Sequence, residues 1–200
     1  MYSRDQPEIE RHTFANPEGF IDSLEFVLTT IQAGLSTCRN QRRQIARDGL
    51  QAACLWGKKA DGLRYGREHA PRLLPEFERL RSRDATEEAV TLATSIPCLG
   101  LPKAGFRCQL MGFDVSCLDV HNLRREGLPA TFVKLNKRAK PATQRKHVAR
   151  YVEYCQREGS ENYWNSWCEH VAGNRANRRL PTADAVSRYH VDAVKMEAGQ

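Results

Sequence analysis

Apolar residues recur at helical spacing along most of the chain, and no other feature constrains the fold as strongly. In the first such segment, Phe20 to Leu35, they stand three or four positions apart, as on one face of an α-helix. The alternation of apolar and polar residues that marks a half-buried strand is nearly absent. The sequence therefore predicts an all-α protein.

The same spacing predicts where the other helices lie. They are expected over residues 39–56, 84–93, 143–157, 162–172 and 182–195, with a further turn beginning at 77–80. Asp84 stands three positions before Glu87, in the manner of a capping box, and should begin the helix that follows it. Residues 1–18 and 57–66 are expected to be irregular, and Pro71 and Pro75 to flank a short segment, because proline and glycine interrupt helices.

Length and charge narrow the class of function. Two hundred residues suffice for one domain, or for two small lobes sharing a chain. The 31 Lys and Arg outnumber the 24 Asp and Glu, for a net charge of +7, which favours a polyanionic partner such as nucleic acid. No apolar run reaches the roughly 20 residues of a membrane span, and the polar N-terminus does not resemble a signal peptide. We therefore expect a cytoplasmic protein with no membrane contact.

Basic residues are concentrated in two places. Residues 134–150 hold seven Lys or Arg and no acid, including Lys137, Arg138, Arg145 and Lys146. Arg175, Arg178 and Arg179 form the second cluster. Each cluster is equally consistent with a DNA contact and with a solvated face.

The seven cysteines do not predict a metal site or a disulfide framework. Their number is odd and no two of them form a CxxC pair. Structural zinc and iron–sulfur sites use closer spacing than these residues have. We therefore expect no metal and no cofactor, and interpret the cysteines as small buried apolar residues.

A helical hairpin is predicted over residues 96–112. Pro97 should end its first helix, Gly100 should give the turn its backbone freedom, and Pro102 suits the first turn of the second helix. Gly112 should cap that helix at its C-terminus. Free backbone N–H groups at such a turn can bind phosphate, assisted by the helix dipole and by Lys103. An ordinary αα-hairpin has the same pattern.

The hairpin is followed by a short run ending at Asp119, which is placed to cap the next helix. The segments Ile96-Pro-x-Leu-Gly100 and Leu118-Asp-Val-His121 resemble the LPGVG…VDTH pattern of the endonuclease III type of DNA glycosylase. Upstream, residues 27–32 (VLTTIQ) are similar to the LLSAQ segment of that family. The resemblance spans residues 20–125, and residues 126–200 match only in being helical and basic.

The resemblance implies a helix-hairpin-helix glycosylase-like fold in one domain, residues 1–200. Residues 20–125 would form its core, and 126–200 would pack with the N-terminus. By carry-over, Asp119 is the catalytic aspartate and Gln32 approaches the gap left by a flipped base. The DNA-backbone clamp comprises Leu99, Gly100, Leu101 and Lys103. The partner would be double-stranded DNA, because the base must leave the stack to be reached.

Two departures argue against ordinary repair. Cys98 replaces the glycine of the LPG turn, and Pro102 occupies the position of the lysine nucleophile of bifunctional members, with Lys103 one place late. A Schiff-base mechanism requires an accurately placed amine, so we do not expect lyase activity.

Three segments resemble a mostly viral branch of the superfamily that hypermodifies thymine in bacteriophage DNA. They are Asp119-Val-His-Asn-Leu-Arg-Arg, Tyr163-Trp-Asn-Ser-Trp167-Cys and Ser187-Arg-Tyr-His190. That resemblance implies a transferase that joins an amino acid, such as glycine, to a phosphate-activated 5-hydroxymethyl-deoxyuridine. Asp119 would accept a proton from the incoming amino acid, and His121 would assist this proton transfer. Arg124 and Arg125 would hold the departing phosphate or the carboxylate of the amino acid.

Two other functions remain open from the sequence. The first is a monofunctional glycosylase, and the second is a DNA-binding module without chemistry. Trp164 and Trp167 are expected to be core residues rather than a stacking surface. His170 and His190 belong to no recognisable set of metal ligands.

Overall fold

A computed structural model describes residues 2–173 and 182–195. Within these ranges the chain is helical and contains no strand, which confirms the all-α class. The second basic cluster, Arg175, Arg178 and Arg179, lies outside the described residues. The helices are α1 Tyr2–Ala15, α2 Pro17–Thr29, α3 Leu35–Asp48, α4 Lys59–Arg81, α5 Thr86–Ser95, α6 Leu101–Leu110, α7 Val120–Arg125, α8 Pro141–Glu158, α9 Ser160–Gly173 and α10 Ala183–Val194, with a 3-10 turn at Ala130–Val133.

The central helix is α2, which contacts α1, α3, α4, α6 and α10. Its residues Phe20, Leu24, Val27 and Leu28 are fully buried, and burial of such side chains is the main stabilising term in folding. The hairpin helices α5 and α6 pack on each other and on α8. Helices α9 and α10 pair with each other and return to α1.

The C-terminal helix α10 is joined to α1 by charge as well as by packing. Arg188 and Lys195 donate to the carboxylate of Glu8 at 2.8 and 2.6 Å. The Tyr189 hydroxyl donates to the carbonyl of Leu35 at the start of α3, at 2.8 Å. These contacts bring the end of the described chain against its beginning.

The prediction that residues 1–18 are irregular was wrong, since α1 covers Tyr2–Ala15 with Pro7 inside it. Its buried stripe runs through Asp5, Ile9 and Thr13, four positions apart. Because two of these three residues are polar, apolar periodicity could not reveal the helix.

The expected loop at 57–66 and break at Pro71 and Pro75 were also wrong. Helix α4 runs unbroken through both prolines. Its stripe of Leu63, Ala70, Leu73, Leu74, Phe77 and Leu80 is buried, which offsets the missing backbone hydrogen bonds. Gly62 lies inside α4 at a point where the helix packs closely on its neighbours. A Cβ at this position would lie 2.5 Å from the carbonyl oxygen of Pro97, so the packing requires glycine.

Three helix ends differ from the sequence-based predictions. Helix α2 ends at Thr29 rather than near Leu35, and Gln32 lies in the turn that follows, with φ 49°. Helix α3 ends at Asp48 rather than at Trp56. Asp84 does not cap α5: the N-cap residue is Ala85, which provides no side-chain hydrogen bond.

The hairpin of α5 and α6 is present as predicted, with Pro102 in the first turn of α6. The residue that gives the turn its left-handed backbone is Cys98, at φ 73°, and not Gly100, which is extended at φ −90° and ψ 176°. Gly112 follows α6 at φ 81° and donates to the carbonyl of Gln109 at 3.1 Å, confirming its capping role.

Candidate active site

One cavity of about 410 Å³ lies between the turn after α2 and helices α6, α7, α9 and α10. This volume is within the range of roughly 300–1,000 Å³ found for small-molecule sites. Its lining includes five residues that the sequence singled out from three separate segments: Gln32, Lys103, Asp119, His121 and Arg124. The fold thus brings all three predicted catalytic residues to the same cavity.

Asp119 is fixed by its position at the start of α7. One carboxylate oxygen accepts the backbone N–H of Asn122 at 3.0 Å, which confirms the predicted capping role. Within the described residues, the other oxygen has no hydrogen-bonding partner. Asp119 can therefore serve as cap and still present an acceptor to the cavity.

The segment that leads to Asp119 is held from three sides. The Tyr151 hydroxyl of α8 donates to the carbonyl of Ser116 at 2.6 Å and accepts the N–H of Leu118 at 3.2 Å. The Asn122 side-chain amide donates to the carbonyl of Cys117 at 2.8 Å. Gly105 of α6 lies against the same place, because a Cβ there would lie 2.6 Å from the Tyr151 hydroxyl. This irregular segment consequently has a defined path without being a strand.

His121 is stacked on His170 of α9, with ring centroids 3.9 Å apart and an angle of 19° between the planes. Its Nε2 atom lies 3.5 Å from the hydroxyl of Ser166. Burial, and then the adjacent His170, lower the pKa of His121 below its ordinary value. The neutral ring that results at neutral pH is able to accept a proton.

Two cationic side chains contribute to the same cavity. The amino group of Lys103 donates to the hydroxyl of Thr30 at 3.2 Å and lies 5.0 Å from the centre of the Phe106 ring. Arg124 is exposed at the α7 side and forms no ion pair among the described residues. Both are available to an anionic group that enters the cavity.

The wall formed by α6, α9 and α10 is aromatic. His190 lies within 5.4 Å, centroid to centroid, of Phe26, Trp164 and Trp167, and 6.4 Å from Phe106. Trp164 is a buried core residue, as predicted, whereas Trp167 is half-buried and packs against the core. Both also line the cavity.

Polar atoms without hydrogen-bond partners are concentrated at this cavity. Four of the nine buried side-chain atoms of this kind in the described chain belong to lining residues. They are the Asn122 Oδ1, the Tyr163 hydroxyl and both ring nitrogens of His190. Because buried polar groups are normally paired, this concentration indicates where a ligand would supply hydrogen bonds.

The predicted DNA clamp lies outside the cavity, apart from Lys103. The Leu99 and Leu101 side chains are buried in the core, so only their backbone groups could meet a phosphate. Gly100 is exposed, and no atom lies within 4 Å of the position of a Cβ.

Arg125 is the second arginine that was expected to hold the substrate phosphate or carboxylate. Its side chain pairs with Glu126 at 2.8 Å and covers the Tyr163 ring.

The basic segment, residues 134–150, contains two kinds of basic residue. The Lys137 amino group donates to the carbonyl of Thr94 at 2.6 Å and so caps the end of α5. Arg138, Arg145 and Lys146 are exposed, and none of their side chains has a hydrogen bond or ion pair in the described chain. These three cations are free for phosphate contacts.

Several residues of the site were given no role from the sequence. Asn122, Tyr163 and His190 line the cavity, and Tyr151 and Gly105 shape it from behind. Asn122, Tyr163 and His190 carried a signal, because they stand in the segments that resemble the viral branch. Tyr151 and Gly105 are brought to the site by packing between helices distant in sequence.

The seven cysteines are free. Cys54 is exposed and Cys98 and Cys117 are half-buried, so the expectation of buried cysteines holds for the remaining four. The described residues contain no group of three or more His, Cys, Asp or Glu arranged to hold a metal ion. Among these same residues, no helix combines the length and apolar character needed to cross a membrane.

Comparison of the chain with protein-family models, curated proteins and solved structures gives no match. The function is therefore inferred from the geometry of the cavity and from the motif resemblance.

Proposed function

We propose that this chain is a DNA base-modifying enzyme that receives an extrahelical pyrimidine in the cavity at Asp119. The observation that carries the proposal is the convergence of Gln32, Asp119 and His121 with the cations Lys103 and Arg124 on one cavity. A base must leave the duplex for chemistry on its exocyclic atoms, and a cavity of this size can enclose it. A DNA-binding module needs only the hairpin and does not require these side chains to converge on one cavity.

The preferred reaction is transfer of an amino acid to a phosphate-activated 5-hydroxymethyl-deoxyuridine. The amine nitrogen forms a bond to the exocyclic methylene carbon while the bond from that carbon to the phosphate oxygen breaks. Asp119 accepts a proton from the incoming ammonium, and the neutral His121 can relay it. Lys103 and Arg124 stabilise the departing phosphate, and the electron pair of the broken bond leaves with it.

A second candidate is a glycosylase that breaks the bond between base and sugar, with Asp119 stabilising the cationic sugar. The placement of Lys103 supports keeping this candidate. The sequence puts this lysine one position late for a Schiff base, yet its amino group lines the same cavity as Asp119.

One incubation separates the candidates. The protein is mixed with duplex DNA carrying phosphorylated 5-hydroxymethyluracil and a pool of amino acids, and the DNA is digested to nucleosides for mass analysis. A new aminoacylated nucleoside supports the transferase. Free base with abasic sites supports the glycosylase, and borohydride trapping that is lost in Lys103→Gln would identify a Schiff base. DNA binding with neither product contradicts both enzymatic functions.

A further inference from the structure

The aromatic wall of the cavity contains a buried histidine that the proposed chemistry does not use. His190 exposes none of its surface to water, and neither ring nitrogen has a hydrogen-bond partner in the described chain. Leaving a buried polar group unpaired costs free energy, so its retention here needs a reason.

The surroundings of His190 keep its ring uncharged. Phe26, Phe106, Trp164 and Trp167 surround it, and burial lowers its pKa to about 3, with the charge of Lys103 acting in the same direction and Asp5 opposing it. A neutral imidazole has one N–H donor and one nitrogen acceptor. His190, which lines the cavity, can therefore donate one hydrogen bond and accept another.

A second residue with a buried, unpartnered polar atom lines the same cavity. The Tyr163 hydroxyl is also unpartnered in the described residues, and the side chain is 1% exposed. Its ring is held in place by Arg125, whose guanidinium carbon lies 4.9 Å from the ring centre. Aromatic faces combined with uncharged hydrogen-bonding groups suit a flat ring with polar edges better than they suit a phosphate or a carboxylate.

From this arrangement we infer that His190 and Tyr163 form a recognition subsite for the polar edge of a nucleobase, with Phe106, Trp164 and Trp167 supplying the apolar surface around it. The inference rests on the proposed function and deepens it. It assigns recognition of the base to α9 and α10, and leaves the chemistry to the α7 wall with Asp119.

The subsite can be tested by binding alone, without catalysis. In a Trp56→Phe background, which removes the exposed tryptophan outside the cavity, the remaining fluorescence comes from Trp164 and Trp167. The protein is titrated with thymidine 5′-monophosphate and, separately, with 2-deoxyribose 5-phosphate, which lacks the base. We expect quenching by the nucleotide and little or none by the sugar phosphate.

His190→Phe should weaken nucleotide binding about tenfold, the effect of one buried neutral hydrogen bond. His69→Phe is the matched control, since His69 lies on α4 away from the cavity and should bind like the parent. Tyr163→Phe, which removes only a hydroxyl, gives the same test if His190→Phe does not fold.

Equal quenching by nucleotide and sugar phosphate would overturn the inference, as would no quenching by the nucleotide. Unchanged affinity in a folded His190→Phe, or in Tyr163→Phe, would do the same. Because this binding assay needs no reaction, a failed subsite is distinguishable from a failed enzymatic proposal, which the mass analysis of DNA tests separately.

Discussion

The Tyr151 hydroxyl bridges the backbone of Ser116 and Leu118, at 2.6 and 3.2 Å, and so holds the segment that carries Asp119. Tyr151→Phe would leave a buried carbonyl and a buried N–H without this partner. We expect a loss of about 1–3 kcal/mol in the free energy of unfolding, measured by urea denaturation, and a lower turnover with DNA affinity retained. Tyr154→Phe removes only a 3.3 Å contact to Glu126 and should change stability by less than about 0.5 kcal/mol. Equal effects of the two variants would refute the bridging role.

Replacing two glycines of the hairpin by alanine should have different effects on the free energy of unfolding. Gly105→Ala would force a methyl group against the Ser116 carbonyl and the Tyr151 hydroxyl, and should destabilise the protein by about 1–3 kcal/mol. Gly100→Ala has open space and an extended backbone, so its unfolding free energy should stay within about 0.5 kcal/mol of the parent.

Gly100→Ala should nevertheless weaken DNA binding, because the new methyl group lies where a phosphate would approach the N-terminus of α6. Fluorescence anisotropy with a labelled duplex measures this. Unchanged affinity in that variant would count against the hairpin as the DNA-backbone clamp.

Acid should destabilise the fold through His190. Burial lowers its pKa to about 3 in the native state, against an ordinary value near 6.5. Below about pH 6.5 the unfolded chain binds a proton that the native ring does not, so the unfolding free energy falls as pH falls, by up to about 1.4 kcal/mol per pH unit. His121, with a lowered pKa, acts in the same direction. Urea denaturation at about pH 7 and about pH 5 should show a smaller difference for His190→Phe than for the parent, and an equal difference would contradict this assignment.

The exposed cations of the basic segment should set the salt dependence of DNA binding. Replacing Arg138, Arg145 and Lys146 by glutamine should reduce the steepness of log K against log salt by about 0.9 for each phosphate that is no longer neutralised. Arg79→Gln is the control, since that guanidinium already pairs with Glu76 at 2.6 Å. If the triple variant keeps the parental slope, these residues belong to a solvated face.

Periodicity predicted the helices whose buried stripes are apolar, such as α2, α8 and α10. It failed where the stripe is polar, as with Asp5 and Thr13 in α1, and where close packing requires glycine inside a helix, as with Gly62 in α4. In both cases tertiary contacts outweigh local preference.

The candidate site divides in the same manner. Asp119, His121 and Gln32 stand in short motifs and could be identified from the sequence. His190 and Tyr163 stand in segments that resemble the viral branch, but their place in the site could not be predicted, because only the packing of α9 and α10 on the rest of the chain brings them to the cavity. Gln32 reaches the cavity from a turn and not from the helix expected there.

The role of Asp119 is tested by comparing the parent with Asp119→Asn on phosphorylated 5-hydroxymethyluracil DNA plus amino acids, with the products measured by mass analysis of nucleosides. Asparagine keeps an oxygen for the Asn122 N–H, so the cap and the fold should survive. We predict that product formation falls by about 10²–10⁴-fold while DNA affinity is retained, and that Asp48→Asn, an exposed carboxylate outside the cavity, behaves like the parent. Full activity in Asp119→Asn would contradict the assignment of this cavity as the active site.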